Sequence, residues 1–141
     1  MKKIAIVYWS GTGNTEAMAQ GVLEGAEAAG AEAELFTPES FGPDQVTSYD
    51  AIAFGCSAQG AEELEDSEFE PMFAACESAL AGKKVALFGS YDWGDGEWMR
   101  SWAARTRDDG AELVDQGLII NNAPDAEGLE QCRQLGRLLA Q

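Results

Sequence analysis

The sequence predicts an α/β fold in which a doubly wound, five-stranded parallel sheet carries helices on both faces. Short apolar runs alternate with segments of helical periodicity along the 141 residues, which favours strands joined by right-handed helical crossovers. Most strand-like runs are apolar throughout, as expected for strands that are covered on both faces. No linker or internal repeat divides the chain, and 141 residues can bury a core without disulfides. We therefore expect residues 1–141 to form a single domain.

Three strands and one helix are predicted in the first part of the chain. Residues 2–8 form a β-branched, apolar run, which is followed by a glycine-rich turn. Residues 14–29 place apolar side chains at helical spacing, and Gly30 stands where a helix commonly ends. Residues 32–36 and 50–55 are the next two predicted strands.

The second part of the chain repeats this pattern after a polar loop at residues 57–68. The periodicity predicts a helix at 69–76, a strand at 84–89, a helix at 96–109, a strand at 112–120 and a final helix capped by Asp125. In such folds a ligand lies beyond the carboxyl ends of the strands, where the strand order reverses. The loops after the first, third and fourth strands are therefore the candidate binding loops.

The composition excludes several kinds of chemistry. The chain has no histidine, which excludes His-dependent catalytic triads and disfavours most transition-metal sites. Its three cysteines form no C-x-x-C pair, so we expect neither a disulfide framework nor a zinc site, and we predict no bound metal. The net charge of −16 makes nucleic acid and anionic membranes poor partners. The first apolar run stops at Ser10, too early for a signal peptide, so we expect a cytoplasmic protein.

The first loop, residues 10–15, is rich in neutral hydrogen-bond donors. Three hydroxyls, one amide and two glycines precede the first helix, whose free N–H groups and dipole are suited to a phosphate. No Lys or Arg occurs between Ile4 and Gly82, which excludes a P-loop and favours a single phosphate monoester. The alternative is an ordinary strand-to-helix turn capped by Ser or Thr.

The second loop, residues 55–63, and the third, residues 89–96, combine glycines with polar and aromatic side chains. Tyr91 and Trp93 stand among glycines and aspartates, where polar loops usually lie on the surface. A flat aromatic ligand stacked on one of them explains their presence. The alternative is that they fold back onto the domain as part of its core.

Five segments carry recognisable motifs: YWSGTGNTE at 8–16, GCSA at 55–58, EELED at 62–66, LFGSY at 87–91 and GEWM at 96–99. In this order they closely resemble the short-chain flavodoxins of anaerobic bacteria. Residues 112–120 contain no insertion, which places the chain with the short-chain branch. The resemblance implies a flavodoxin-like fold with strand order 2-1-3-4-5 and one FMN bound without covalent attachment. It also implies a low-potential, one-electron carrier that is not an enzyme and cycles mainly between the semiquinone and hydroquinone states.

The resemblance further implies which residues contact the cofactor. The phosphate is expected to bind to Ser10, Thr12, Asn14, Thr15 and Ser57. Trp93 is expected to stack on the outer face of the ring, and residues 59–62 are expected to cover its other side and edge. The full expected set is Ser10, Gly11, Thr12, Gly13, Asn14, Thr15, Ser57, Ala58, Gln59, Gly60, Glu62, Ser90, Tyr91, Trp93, Gly94 and Asn122.

Gln59, Gly60, Glu62 and Trp93 are expected to tune the redox chemistry. The resemblance implies that the Gly60 carbonyl turns toward flavin N5 on reduction, since glycine tolerates positive φ, and that the Glu62 carboxylate accepts a hydrogen bond from N3–H. Neighbouring acids are expected to lower the second potential and to guide docking onto redox enzymes with basic surfaces. We expect a monomer.

Three departures from close relatives bear on this site. Gln59 stands where relatives often carry methionine, and Asp92 stands where they often carry glycine. Ala61 is expected to make the turn of the Gly60 peptide harder.

Two other functions are considered: an FMN-dependent reductase or activase of the same fold, and a phospho-accepting regulator. The regulator needs paired acids after the first strand, where Trp9 and Ser10 stand instead.

Overall fold

A single parallel sheet organises the computed structural model, which describes residues 2–60 and 62–141. Its strands are β1 (Lys3–Trp9), β2 (Glu32–Phe36), β3 (Ala51–Cys56), β4 (Lys84–Tyr91), β5 (Glu112–Leu113) and β6 (Leu118–Asn121). Its helices are α1 (Asn14–Ala28), the single turn α2 (Pro43–Val46), α3 (Phe69–Cys76), α4 (Glu97–Asp108) and α5 (Ala126–Leu139). Short 3-10 turns occur at Pro38–Ser40 and Glu77–Ala79.

The strand order confirms the predicted topology. The sheet runs β2-β1-β3-β4-β5, and β6 continues the last position beside β4. All of these pairings are parallel. The carboxyl ends of β1, β3 and β4 therefore lie at one edge, where the three candidate loops emerge.

The prediction of one continuous strand at 112–120 is wrong, because residues 114–117 leave the sheet. Leu113 is opposite Val85 and Leu118 is opposite Phe88. Four residues therefore lie between Leu113 and Leu118, whereas only two residues of β4 lie between their partners. Gly117 closes this bulge at φ 105°, and a Cβ on it would lie 2.5 Å from the Met99 side chain. Packing against α4 thus requires a backbone conformation that only glycine adopts easily.

Two apolar layers cover the two faces of the sheet. Ile4 and Ile6 pack with α1 and α5 on one face, whereas Ala5 and Val7 pack with α3 and α4 on the other. Since successive strand residues point to opposite faces, burial on both sides explains why the run is apolar throughout.

Helices α1 and α5 approach each other closely through glycines. A Cβ on Gly25 would lie 1.9 Å from the carbonyl oxygen of Arg133, and one on Gly136 would lie 2.1 Å from that of Val22. Both distances are far shorter than any van der Waals contact. The two helices can therefore pack this closely only because Gly25 and Gly136 have no side chain.

A cluster of charged side chains joins α3 to α4. The Arg105 guanidinium donates to Glu70 at 2.7 Å and to Glu77 at 2.8 Å and 2.9 Å, and it lies 5.0 Å from the centre of the Phe73 ring. Hydrogen bonding to Arg105 lowers the pKa of Glu77. Burial, followed by the neighbouring Glu77 carboxylate, raises the pKa of Asp109 from 3.8 to about 6, and its Oδ2 atom is buried without a hydrogen-bond partner.

Asp109→Asn is expected to raise the free energy of unfolding at pH 7 by about 1 kcal/mol, because the folded state disfavours the charged form. A folded pKa above the unfolded value means that stability falls as the pH rises from about 4 through 6. The gain should therefore be present above pH 6 and shrink toward pH 4.5 in urea unfolding followed by circular dichroism. The exposed neighbour Asp108→Asn is the matched control, and equal effects of the two variants would contradict the prediction.

Candidate functional site

A cleft of about 520 Å³ opens between the loops that follow β1, β3 and β4. Most of the residues that line it were predicted to bind the cofactor. They are Gly11, Thr12, Asn14, Ser57, Ala58, Gln59, Gly60, Ser90, Tyr91, Trp93 and Asn122, and they are joined by Trp9 and Asp92. The structure thus brings all three candidate loops to one site at the expected edge of the sheet.

The first loop presents unpaired backbone donors to this cleft. Helix α1 follows Gly13, which has φ 95° and no side chain with which to cap the helix. Among the described residues, the N–H groups of Asn14, Thr15 and Glu16 donate to no protein acceptor. A helix start of this kind binds an anion through its N–H groups and its dipole. The donors are neutral, as the sequence predicted.

Two of the predicted phosphate ligands have side chains that are used within the protein. The Thr15 hydroxyl is buried and lies 3.0 Å from the Ser90 hydroxyl, and the Ser90 N–H donates to it at 3.3 Å. The Ser10 hydroxyl accepts from the Gly13 N–H at 3.0 Å. Neither residue is part of the lining of the cleft.

The second loop forms a tight turn at the mouth of the cleft. Gln59 and Glu63 exchange backbone hydrogen bonds of 2.8 Å and 2.9 Å. Gly60 between them has φ 50°, and a Cβ on it would meet no atom within 4 Å. The Gln59 amide turns back to donate to the Ser57 hydroxyl at 3.2 Å. Ala61, the third departure noted in the sequence, lies outside the described residues.

The two aromatic residues of the third loop have different surroundings. Trp93 is 60% exposed, although it lines the cleft. Tyr91 is half-buried, and its ring centre lies 5.4 Å from that of Trp98 in the core. Trp93 therefore has the free face that a stacked ring needs, whereas Tyr91 partly follows the alternative prediction of a core aromatic.

Glu62 of the second loop and Gly94 of the third loop contact each other and do not line the cleft. One oxygen of the Glu62 carboxylate accepts from the N–H groups of Gly96 and Glu97, at 3.2 Å and 3.0 Å. Gly94 is folded against the same carboxylate with φ 90°. The structure thus places the carboxylate of Glu62 at the start of α4. Gly13, the residue immediately before α1, also lies outside the lining.

Trp9 and Asp92 line the cleft but are not among the predicted cofactor-binding residues. The Trp9 ring lies against Gly11, where a Cβ would approach it to 3.0 Å, and its N–H donates to Glu68 at 3.2 Å. The sequence signal for Trp9 is its place between the first strand and the glycine-rich turn. Asp92 was noted in the sequence only as a departure from the glycine that relatives often carry.

The acidic loop before α3 is held by one buried carboxylate. Glu65 is 7% exposed and accepts from the side chain of Ser67 and from the N–H groups of Ser67, Glu68 and Phe69. Burial opposes its ionisation, but these hydrogen bonds outweigh burial and lower its pKa to about 2. Glu65 therefore caps α3 as a stable anion.

The three cysteines are buried and form no disulfide. Burial raises the pKa of the Cys56 and Cys132 thiols to about 12 and that of Cys76 to about 11, so none of them is a thiolate at neutral pH. Within residues 2–60 and 62–141, no group of three potential metal ligands is found. No helix in this part of the chain combines the length and apolar character needed to cross a membrane.

The profile of the family described as Flavodoxin matches residues 6–136. The chain is 50% identical to the flavodoxin of Megasphaera elsdenii over 137 residues, which cover 97% of this chain and 98% of that protein. It belongs to the flavodoxin family. It is also 44% identical to the flavodoxin of Clostridium beijerinckii over 135 residues, with coverage of 96% and 97%. The solution structure of two-electron reduced Megasphaera elsdenii flavodoxin superposes with a TM-score of 0.88 over 97% of this chain and 98% of that one.

Flavodoxins bind FMN and carry electrons between redox partners, so membership in the family confirms the predicted cofactor and the predicted role as a carrier. It supports the carrier over the reductase or activase. The described residues fit FMN: a row of neutral donors suits one phosphate, and Trp93 offers an exposed ring beside the same cleft.

Proposed function

We propose that residues 1–141 act as a single-domain, low-potential electron carrier that holds one FMN in the cleft between the three loops. The observation that carries this proposal is the uncapped start of α1, which opens into the same cleft as the exposed ring of Trp93. An anion site beside an exposed aromatic ring matches the two ends of a flavin mononucleotide. When bound, FMN supplies a group that accepts and releases electrons one at a time.

Different residues of the cleft then contact different parts of FMN. The N–H groups at the start of α1, together with Thr12, Asn14 and Ser57, bind the phosphate. Trp93 covers the exposed face of the ring, and the turn at Gln59 and Gly60 covers the opposite side. The remaining lining residues in this assignment are Ser90, Tyr91 and Asn122. Asn122 is held in the left-handed region at φ 60° by a 2.7 Å hydrogen bond from its N–H to the Tyr91 carbonyl.

The acidic surroundings lower the affinity of the site for electrons. Glu65 accepts hydrogen bonds at the start of α3, and Glu70 is paired with Arg105. The exposed carboxylates between residues 63 and 68 are Glu63, Asp66 and Glu68. Each charge at about 10 Å from the ring opposes reduction by about 0.4 kcal/mol in a water-like dielectric. These carboxylates and Asp92 favour a low potential.

The same acidic surface favours partners with basic docking surfaces. The net charge of −16 leaves an excess of carboxylates that attracts such surfaces over long range. A carrier that exposes the edge of its cofactor works as a monomer, and we place it in the cytoplasm with its partner enzymes.

The phosphate assignment predicts different losses for two ligands. Asn14→Ala should weaken FMN binding about tenfold and leave riboflavin binding unchanged, since one hydrogen bond to a charged group is worth about 1.5–3 kcal/mol. Trp93→Ala should weaken both ligands. Flavin fluorescence quenching gives the affinities, and Asp108→Asn at the far end of α4 is the control.

Stepwise anaerobic reduction of the loaded protein tests electron transfer. Long-wavelength absorbance of one-electron-reduced flavin should rise and then fall. Direct two-electron reduction would contradict the carrier role, and equal losses of FMN and riboflavin in Asn14→Ala would contradict the phosphate assignment.

A further inference from the structure

A second cavity, which we call the α4 cavity, lies between the loop before α3 and helices α3 and α4. Its volume is about 250 Å³, and among the described residues its lining shares none with that of the cleft. Apolar side chains of Leu64, Trp98 and Trp102 line it together with polar ones. The proposed function makes no use of this cavity.

The Trp102 indole carries a buried donor that has no acceptor. The residue is 2% exposed, and its Nε1 atom has no hydrogen-bond partner within the part of the chain that the structure describes. Its ring stands nearly at right angles to those of Phe69 and Phe73, with ring centres 5.4 Å and 5.7 Å away. Close packing of this kind leaves the indole little freedom to turn. Buried N–H groups are nearly always paired, so an unpaired one on a residue that lines a cavity indicates an acceptor that the cavity receives.

Arg105 offers a second donor to the same cavity. A guanidinium has five N–H groups, and the four hydrogen bonds that Arg105 makes all go to Glu70 and Glu77. Only one of these bonds uses Nη1, which carries two hydrogens. One N–H therefore remains for an acceptor.

The carboxylates of the lining restrict the charge of the occupant. Glu62 and Glu63 line the cavity, and neither pairs with a Lys or Arg side chain in residues 2–60 and 62–141. They repel an anion and accept hydrogen bonds from a donor. An ammonium or guanidinium group suits them but offers no acceptor to the Trp102 N–H. A neutral amide offers both an acceptor and a donor.

We propose that the α4 cavity binds a small neutral carboxamide, whose carbonyl oxygen accepts from the Trp102 N–H and whose amide N–H donates to the carboxylates of Glu62 and Glu63. The apolar part of the ligand packs against Leu64 and Trp98. This site is independent of the proposed function, because it uses none of the residues assigned to FMN contact other than Glu62.

A titration of the FMN-loaded protein with benzamide, followed by ¹H–¹⁵N correlation spectra, tests the site. The indole signal of Trp102 is the one missing from Trp102→Phe, which keeps an aromatic ring but lacks the N–H. Benzamide should move that signal with a Kd of about 1 mM, as expected for so small a ligand. Benzoate and benzylamine should bind at least about tenfold more weakly, since one has the wrong charge and the other has no acceptor.

Two matched variants of α4 locate the binding. Ser101→Phe places a ring in the cavity from an exposed helix position, leaves the indole intact, and should weaken benzamide binding at least about tenfold. Ala104→Phe adds the same ring at an exposed position of α4 that does not line the cavity, and it should bind benzamide like the unsubstituted protein. Ser101→Phe remains decisive if Trp102→Phe does not fold.

The proposal is overturned if the Trp102 signal does not move up to the solubility limit of benzamide, or if benzylamine or benzoate binds as tightly. Equal binding by Ser101→Phe and Ala104→Phe overturns it as well. If the chain binds no FMN, the proposed function fails, and the same titration of the flavin-free protein decides whether the cavity takes an amide.

Discussion

Gly25→Ala is expected to lower the free energy of unfolding by about 3–4 kcal/mol, more than most single substitutions. The added methyl group would lie 1.9 Å from the Arg133 carbonyl oxygen, which is backbone and has no rotamer to change. Helices α1 and α5 must therefore move apart, which opens the layer that covers one face of the sheet. The better helix propensity of alanine returns only about 1 kcal/mol.

Urea unfolding of the flavin-free protein, followed by far-UV circular dichroism, measures this loss. Gly42→Ala is the matched control, since its Cβ would meet no atom within 4 Å and its backbone is extended. A Gly25→Ala variant as stable as the control would mean that the two helices do not pack at this distance.

Glu65→Gln is expected to lower the free energy of unfolding at pH 7 by about 3 kcal/mol, as the depressed pKa of this buried carboxylate implies. The substitution removes the charge and turns an amide NH₂ group toward backbone donors that already lack other acceptors. A folded pKa of about 2, below the ordinary 4.5, means that the stabilisation is complete above pH 4.5 and is lost as the pH falls toward 2.

The difference between the variant and the unsubstituted protein should therefore shrink in acid, as measured by urea unfolding at several pH values. Asp66→Asn removes a charge from the exposed neighbour and should change stability by less than about 0.5 kcal/mol. A constant difference from pH 7 to pH 3 would show that Glu65 does not cap α3 as an anion.

The sequence predicted the features that depend on local pattern. β3 and the part of β1 after Lys3 carry no charged residue, because both faces of these strands are covered, and this pattern is visible without knowledge of their partners. The residue types of the glycine-rich turn before α1 likewise predict an anion site, and the structure places that turn at the cleft. The fold and the position of the cleft follow from these local signals.

The features that escaped prediction depend on partners far away in the sequence. Thr15 was predicted to bind the phosphate, and the structure adds a contact of 3.0 Å between its hydroxyl and that of Ser90, 75 residues later. The carboxylate of Glu62, which was expected to accept a hydrogen bond from flavin N3–H, also accepts from the N–H groups of Gly96 and Glu97, 34 and 35 residues later. The break in the last strand depends on the packing of Met99 against Gly117. A one-dimensional pattern contains none of these contacts.

The break between β5 and β6 also bears on how the chain tolerates changes in length. Asp115 and Gln116 are exposed there, and the two short strands on either side pair separately with β4. Additional residues at this point extend into solvent without shifting the register of either strand. The far edge of the sheet is thus a suitable place for a longer loop, a peptide tag or an inserted domain.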